Sequence, residues 1–317
     1  MTQEPGPRRT PFSKEGRALT RAELQAQVRA RKEQFDEASE KIAERTGRNL
    51  ISAIAIGVGL GALLIVSLVL IKEIFLVLAA ALLVFGTLEL ASALRHAGRR
   101  IPRIPTAIGA VAVVPAAYYW GEVGQWLFVL AAIAFVTLWR LIEIPFQKER
   151  ASAIDVVRDL SAGVFVQAYV TFLASTAVLL LSKPGGQWWV LGFIISTVLV
   201  DVGAYASGLN FGKHPMAPTI SPKKTWEGLA GAVIICLVGS VIIAIFLLQM
   251  PWWFGLVFGA VIVVTATVGD LAESLLKRDI GIKDMSSWLP GHGGLLDRLD
   301  SILPSAAAAY VLYVLFV

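Results

Sequence analysis

The chain reads as an all-α, polytopic integral membrane protein with about nine transmembrane helices and a cytoplasmic N-terminus. Composition is the first reason: of 317 residues, 56% are hydrophobic and only 16% charged, too apolar for an ordinary water-soluble domain. The second is block length. The apolar residues come in runs of roughly 17–23, the length a helix needs to cross the hydrocarbon core. The third is where the charge falls. With the N-terminus inside, the tail and the loops near 95–103, 140–158, 208–227 and 274–301 carry 11, 4, 4, 3 and 4 Lys/Arg, or 26 of the 28 in the chain. The outer turns hold only Lys72 and Lys183. So lopsided a division sets the orientation by the positive-inside rule and supports the helix number, since losing one interior span would scramble it.

In order, residues 1–49 form a polar cytoplasmic tail that does not open like a cleaved signal peptide. Residues 1–13, with Pro5, Pro7 and Pro11, read as disordered. Thr20 and Glu23 fit a capping box, and a helix is expected from there to about Thr46. Its thin apolar seam, Val28, Phe35 and Ile42, suits a solvated or membrane-surface helix. Residues 50–317 then form the membrane domain. Its spans are expected near 50–71, 74–94, 104–120, 124–142, 160–181, 187–208, 228–248, 252–273 and 302–317. Gly57 and Gly61 in the first span predict close helix packing. Arg140 and Glu143, three apart at the end of the fourth, predict a pair with each other. The single cysteine, Cys236, excludes an intrachain disulfide and argues against a thiol metal site.

Chemistry concentrates in two inner loops. Asp201 and Asp270 lie near the inner ends of their spans, where a bare carboxylate costs several kcal/mol unless paired, hydrated or metal-bound. Glu89 in the second span is a weaker case of the same kind. Asp201, Tyr205 and Gly208 share a helical face. Ser221, Lys223, Lys224 and Thr225 then offer two ammonium groups and two hydroxyls just before a helix opened by Glu227 and Gly228, whose N-terminus favours anions. A lysine pair beside a membrane also serves as an orientation signal or a lipid-headgroup contact.

The segment from Ser274 to Asp300 is denser still, with Lys277, Arg278, Lys283, Arg298, carboxylates, His292 and a Gly293-Gly294 pair. Cations offset phosphate charge, carboxylates hold magnesium, and glycine lets backbone N–H groups approach oxygens. Asp270, Glu273 and Lys277 share a face if the helix continues, and Asp297 and Asp300 lie three apart. His292 fits three roles: metal ligand, phosphate donor or structural hydrogen bonder. Magnesium's preference for oxygen makes the first the weakest. Together these features point to phosphoryl or nucleotidyl transfer at a membrane surface.

The same residues resemble the phosphatidate cytidylyltransferase (CDP-diacylglycerol synthase) family. The likeness runs through Ser274-Leu-Leu-Lys277-Arg278, Lys283-Asp284 and Pro290-Gly-His292-Gly293-Gly294-Leu-Leu-Asp297-Arg298-Leu-Asp300. Gly269-Asp270-Leu271-x-Glu273-Ser274, Asp201-x-x-Ala204-Tyr205 and Ser221-Pro222-Lys223-Lys224-Thr225-x-Glu227-Gly228 extend it, and the span pattern of residues 50–317 agrees. One departure is Leu209 after Gly208, where family members often carry a basic residue. The resemblance implies that CTP and phosphatidic acid become CDP-diacylglycerol and pyrophosphate. It implies Mg2+ held by Asp270 and Asp297, with a second cation such as K+ beside it. Lys277, Arg298 and His292 would join these two aspartates as catalytic residues. Asp201, Tyr205, Ser221, Lys223, Lys224, Thr225, Glu227, Ser274, Arg278, Lys283, Gly293, Gly294 and Asp300 would contact substrate. It further implies a multi-pass protein of the inner cell membrane with its site facing the cytoplasm, a homodimer among membrane lipid, and no nucleic-acid partner.

Two other readings stand beside this one. A related CTP-dependent transfer to another lipid, by a CDP-archaeol synthase or a polyprenol kinase, would use a similar polar site. An ion-coupled transporter would also carry intramembrane carboxylates, but near the midplane rather than at one end of the spans.

Overall fold

The computed structural model describes residues 50–146, 152–286 and 294–317. The expected tail helix with its Val28, Phe35 and Ile42 seam lies outside these residues, as do His292 and Gly293. Met1–Gly59 and Leu60–Val317 are separate compact units. The packing and the site belong to the second.

Helix dominates because a segment inside a bilayer must satisfy its backbone polar groups internally. Helix α1 (Leu50–Val69) is followed by α2 (Lys72–His96) and α3 (Arg103–Glu143). Helix α4 (Ala153–Val166) runs through a π-helical stretch, Gln167–Phe172, into α5 (Leu173–Leu181). Next come α6 (Gly186–Phe211), an antiparallel hairpin of β1 (Pro215–Ala217) and β2 (Ser221–Thr225), α7 (Trp226–Phe246) and α8 (Trp252–Ile280). A short α9 (Leu296–Leu299) precedes α10 (Ile302–Phe316). Among the described residues, seven helical segments are long and apolar enough to cross a membrane. The chain is an all-α polytopic membrane protein.

One of those seven, Arg103–Phe146, is far too long for a single crossing: 44 residues would reach about 66 Å against a core of about 30 Å. It is a helical hairpin. Gly121 takes φ 63° and ψ −144°, a conformation open in practice to glycine alone. Beyond it the chain doubles back. A methyl on Gly109 would sit 2.7 Å from Ala132 Cβ, and one on Gly124 would strike the Ala116 carbonyl. The break expected between 120 and 124 is this reversal.

Other boundaries move outward. The fifth expected span starts not at 160 but at Ala153, where the Ser152 hydroxyl caps the helix by accepting from Asp155 N at 3.2 Å. Helix α8 continues past 273 to Ile280 and stops at Gly281 in the left-handed region, φ 78°. The expected close packing at Gly61 is not found among the described residues, where a methyl there would meet nothing within 4 Å.

Lipid tails are as apolar as leucine, so burial alone does not draw membrane helices together; small residues and polar ties do. Helices α6 and α7 approach until a methyl on Gly203 would sit 2.9 Å from Ala232 Cα. Gly259 of α8 seats against Ser240 of α7, where a methyl would come 2.9 Å from Cβ. Toward one end of the bundle Trp189 packs edge-on against Phe254, Phe258 and Tyr313 at centroid distances of 5.6, 6.0 and 5.2 Å, joining α6, α8 and α10. Glu122, at the α3 reversal, pairs with Lys183 and accepts from Tyr310 Oη at that same end.

At the opposite end, Arg140 and Asp159 form an ion pair that is 1% and 4% exposed, with Nε and Nη2 donating to Oδ2 at 3.0 and 2.6 Å. Asp159 Oδ1 also accepts from Arg100 N at 2.8 Å. This overturns the expected Arg140–Glu143 pair. Glu143 instead accepts from Trp139 Nε1 at 2.8 Å, because Arg140 faces inward against α4 while Glu143 faces out.

Candidate active site

The site forms where the C-terminal ends of α2, α6 and α8 meet the start of α7, the β-hairpin and α9. The hairpin aims its two lysines by local bonds. Thr225 caps α7, its Oγ1 accepting from Gly228 N at 3.1 Å. Glu227 accepts from Lys213 N at 3.1 Å, from His214 N at 3.2 Å and from the His214 ring. From α8, Arg278 Nε donates to the Ile220 carbonyl at 3.3 Å and ties the turn down. Held this way, Lys224 reaches across to Asp270 as an ion pair, and Ser274 Oγ donates to the other oxygen of that aspartate at 3.4 Å.

A second lysine–aspartate pair lies further along α8. Lys277 Nζ donates to Asp297 Oδ1 at 2.7 Å. The other oxygen, Oδ2, accepts from Gly294 N at 2.7 Å and from Met285 N at 3.2 Å, so Asp297 also closes its own loop. Glu89, from α2, holds that loop from beneath. It accepts from Leu296 N at 2.7 Å, from Leu295 N at 3.2 Å and from Ser286 Oγ. A carboxylate at a helix N-terminus satisfies otherwise unpaired N–H groups. A methyl on Gly294 would collide with Glu89 Oε1, so only glycine fits there.

Acidic side chains cluster at the centre of the site. Asp201, Asp270 and Asp300 lie within electrostatic reach of one another. Glu273 is fully buried against the Asp300 carboxyl, and Lys277 Nζ lies 3.7 Å from its Oε1. The buried Tyr169 hydroxyl, presented by the π-helical stretch, has no hydrogen-bond partner among the described residues and is within reach of Glu273, Asp300 and Asp270. Between α6, the hairpin, α7 and α8 a cavity of about 290 Å³ opens beside Asp201, Tyr205, Lys223, Lys224, Thr225 and Asp270. Cations on a short hairpin, opposed carboxylates and a small cleft are what a polyphosphate bound with a divalent cation requires.

The sequence pattern of the cytidylyltransferase family matches residues 51–316. The chain belongs to that family. A phosphatidate cytidylyltransferase of Mycobacterium bovis is 41% identical over 276 residues, covering 86% of this chain and 90% of its own length. One of Mycobacterium leprae is 40% identical over 285 residues, 87% of this chain and 91% of the relative. A third, of Staphylococcus saprophyticus, is 32% identical over 209 residues.

Of the residues expected in this cytidylyltransferase site, Asp201, Tyr205, Lys223, Lys224, Thr225 and Asp270 come together around the cavity, and Ser274, Lys277, Gly294, Asp297 and Asp300 lie beside it. Arg298 sits exposed on α9 within electrostatic reach of Asp201. Ser221 opens β2, and Lys283 is exposed on the loop after α8. Glu227 and Arg278 make structural bonds of the hairpin. Two further residues stand out. Glu89 had a sequence signal, a lone carboxylate in an apolar span, and Tyr169 had none, since a tyrosine in an apolar run is ordinary.

Magnesium fits these residues. Among the described residues no three His, Cys, Asp or Glu side chains form a ready-made metal cage. Magnesium asks for less, one or two carboxylates completed by water and phosphate oxygens. Asp270 and Asp297, each paired with a lysine, are the carboxylates that would serve it.

Proposed function

We propose that the protein transfers CMP from CTP to phosphatidic acid at the cytoplasmic face of the inner cell membrane, giving CDP-diacylglycerol and pyrophosphate. The observation that carries this reading is the convergence of two lysine–aspartate pairs, Lys224–Asp270 and Lys277–Asp297, from three sequence motifs onto one end of the bundle. The relatives are phosphatidate cytidylyltransferases by name and align over most of the chain.

A phosphate oxygen of the lipid attacks the α-phosphorus of CTP. The bond from that phosphorus to the α–β bridging oxygen breaks, and pyrophosphate leaves with the electron pair. The nucleophile's second pKa is near 6, as for other phosphate monoesters, so at neutral pH it is already largely the dianion and needs no general base. Catalysis is then positioning and charge neutralisation. Lys223 and Lys224 on the hairpin and Lys277 and Arg298 on the opposite side face the phosphates. Asp270 and Asp297 would hold magnesium, which when bound neutralises phosphate charge. His292, with Gly293 and Gly294, would donate to a phosphate rather than accept a proton.

The orientation rests on the 26 of 28 Lys/Arg assigned to inner segments, with nine crossings. On this orientation the site faces the cytosolic CTP. A transporter would set its ionisable groups at mid-membrane, whereas these gather at helix ends. Purified protein incubated with phosphatidate and CTP labelled at the α-phosphorus should yield labelled CDP-diacylglycerol only with magnesium present. Unlabelled phospholipid as the sole product, with CTP consumed from its γ end, would establish a lipid kinase instead.

A further inference from the structure

The connection from α2 to α3, Arg95-His96-Ala97-Gly98-Arg99-Arg100-Ile101-Pro102-Arg103, puts four arginines and no acid into nine residues. It lies at the end of the bundle that holds the site, yet none of these residues lines the cleft beside Asp270. We propose that this connection, with Arg158 of α4, binds the phosphodiester headgroup of an anionic glycerophospholipid, a resident of the bilayer and not the phosphate monoester that reacts.

Rigidity is the first argument. Charge that only orients a chain works equally well from a loose loop. This loop is fixed. Gly98, at φ 83°, ends α2, and Ile101 and Pro102 are buried behind it. Arg100 N is bound to Asp159 Oδ1 at 2.8 Å. Two guanidinium groups are aimed as well. Arg95 Nη1 donates to the Ile101 carbonyl at 3.1 Å, and Arg103 Nη2 crosses back to Ser92 Oγ at 3.1 Å. Both side chains are exposed. A guanidinium has five N–H donors, so one bond sets its direction and leaves others for a ligand.

The choice of side chain is the second. The positive-inside rule counts lysine and arginine alike. The β-hairpin loop uses only lysine, Lys213, Lys223 and Lys224, whereas this connection uses only arginine. The planar guanidinium fork matches the two non-bridging oxygens of a phosphodiester, where an ammonium is a point charge. Arg158 approaches from α4: its Nη1 lies 3.9 Å from Asp155 Oδ1, and Arg99 is within electrostatic reach of the same carboxylate. Asp155 is thus set against two arginines, and the patch stays cationic.

The surroundings are the third. Apolar surface begins directly after Arg103, where Ile104 and Ile108 share a face of α3 and are 69% and 52% exposed. Ile154 and Val157 are exposed in the same way beside Arg158. Arg103 opens a membrane-crossing segment, so these side chains meet acyl chains. A free phosphate has no use for such a flank. A phospholipid with its phosphate on the arginines lays its chains there.

The test reads lipid binding on the purified full chain, with phosphatidylglycerol as the probe and zwitterionic phosphatidylcholine as the control. In native mass spectrometry the unmodified protein should retain phosphatidylglycerol in preference to phosphatidylcholine. Arg95→Lys with Arg103→Lys keeps every charge, and with it the orientation, but removes both forks. That pair should weaken phosphatidylglycerol binding about fivefold or more, and Arg95→Gln with Arg103→Gln at least as much. Thermal unfolding midpoints check that the variants fold. Independently, a phosphatidylglycerol with a diazirine in its acyl chain, photolysed on the unmodified protein in phosphatidylcholine vesicles, should label segments 104–111 and 154–165. A lysine pair that binds as tightly as the parent would reduce the patch to a diffuse positive layer and overturn the assignment. Equal retention of the two lipids or adducts confined to other helices would do the same. Displacement of phosphatidylglycerol by inorganic phosphate alone would mark a free-phosphate site, also against it. If neither variant pair folds, the photolabelling pattern decides.

Discussion

At single residues, the distinction that matters is between charge that builds the loop and charge that serves phosphate. Asp297 does both, since Oδ2 binds two backbone N–H groups and Oδ1 binds Lys277. Asp297→Asn keeps an acceptor for the backbone and removes the charge. It and Asp270→Asn should each lower turnover by 10²-fold or more while the purified protein keeps its thermal midpoint, because one lost electrostatic contact at a transition state costs that much. More than about a tenth of normal activity in either variant rejects the catalytic role. Tyr169 gives a sharper case. Its buried hydroxyl has no hydrogen-bond partner among the described residues, so deleting it removes a desolvation cost of about 1–3 kcal/mol and breaks no bond. Tyr169→Phe should therefore unfold no earlier than the parent, yet lose fivefold or more in kcat/KM if the hydroxyl meets substrate or the acidic cluster during turnover. Unchanged activity would make it an idle packing residue. Asp270 and Asp297 were legible in the sequence because a carboxylate among apolar or glycine-rich neighbours is conspicuous. Tyr169 was not, since only the π-helical stretch turns it toward the acids.

Among the secondary-structure elements, the helices were legible as apolar blocks and what joins them was not. Apolar block length located the long helices, and Gly121 lay inside the gap expected in α3, but the π-helical stretch and the three-residue β1 leave no periodic trace. Arg140 shows the limit of local reasoning. Spacing favoured Glu143, and tertiary packing chose Asp159. Removing one partner of so buried a pair leaves an uncompensated charge, so Arg140→Met should cost about 3–5 kcal/mol in unfolding measurements. Arg140→Met with Asp159→Leu should recover part of that and not all, because Arg100 N loses its acceptor. A double variant no better than the single one would show that the pair is more than mutual compensation. Glu89 links α2 to α9 in the same spirit. Glu89→Ala should speed amide hydrogen exchange at Leu295 and Leu296 and depress activity with them, whereas exchange unchanged at those two amides would reject the tie.

For the whole molecule, the charge that orients the chain and the charge that works on phosphate are partly the same residues. Lys223, Lys224, Lys277 and Arg298 count toward the inner face and also surround the site, so orientation and function stand or fall together. The protein is suited to a direct measurement of this, because its single cysteine, Cys236, is fully buried between α6, α7 and α8 and should stay silent toward a water-borne thiol reagent. Gln249 lies exposed in the turn from α7 to α8, and Lys223 lies exposed on β2 at the opposite end of α7. One helix of 21 residues, about 30 Å, separates the two positions. In intact cells an impermeant maleimide should label Gln249→Cys and spare Lys223→Cys until the membrane is opened. Labelling of Lys223→Cys alone would invert the molecule and put the lysine–aspartate pairs on the side without CTP. Labelling of both would mean that α7 does not cross.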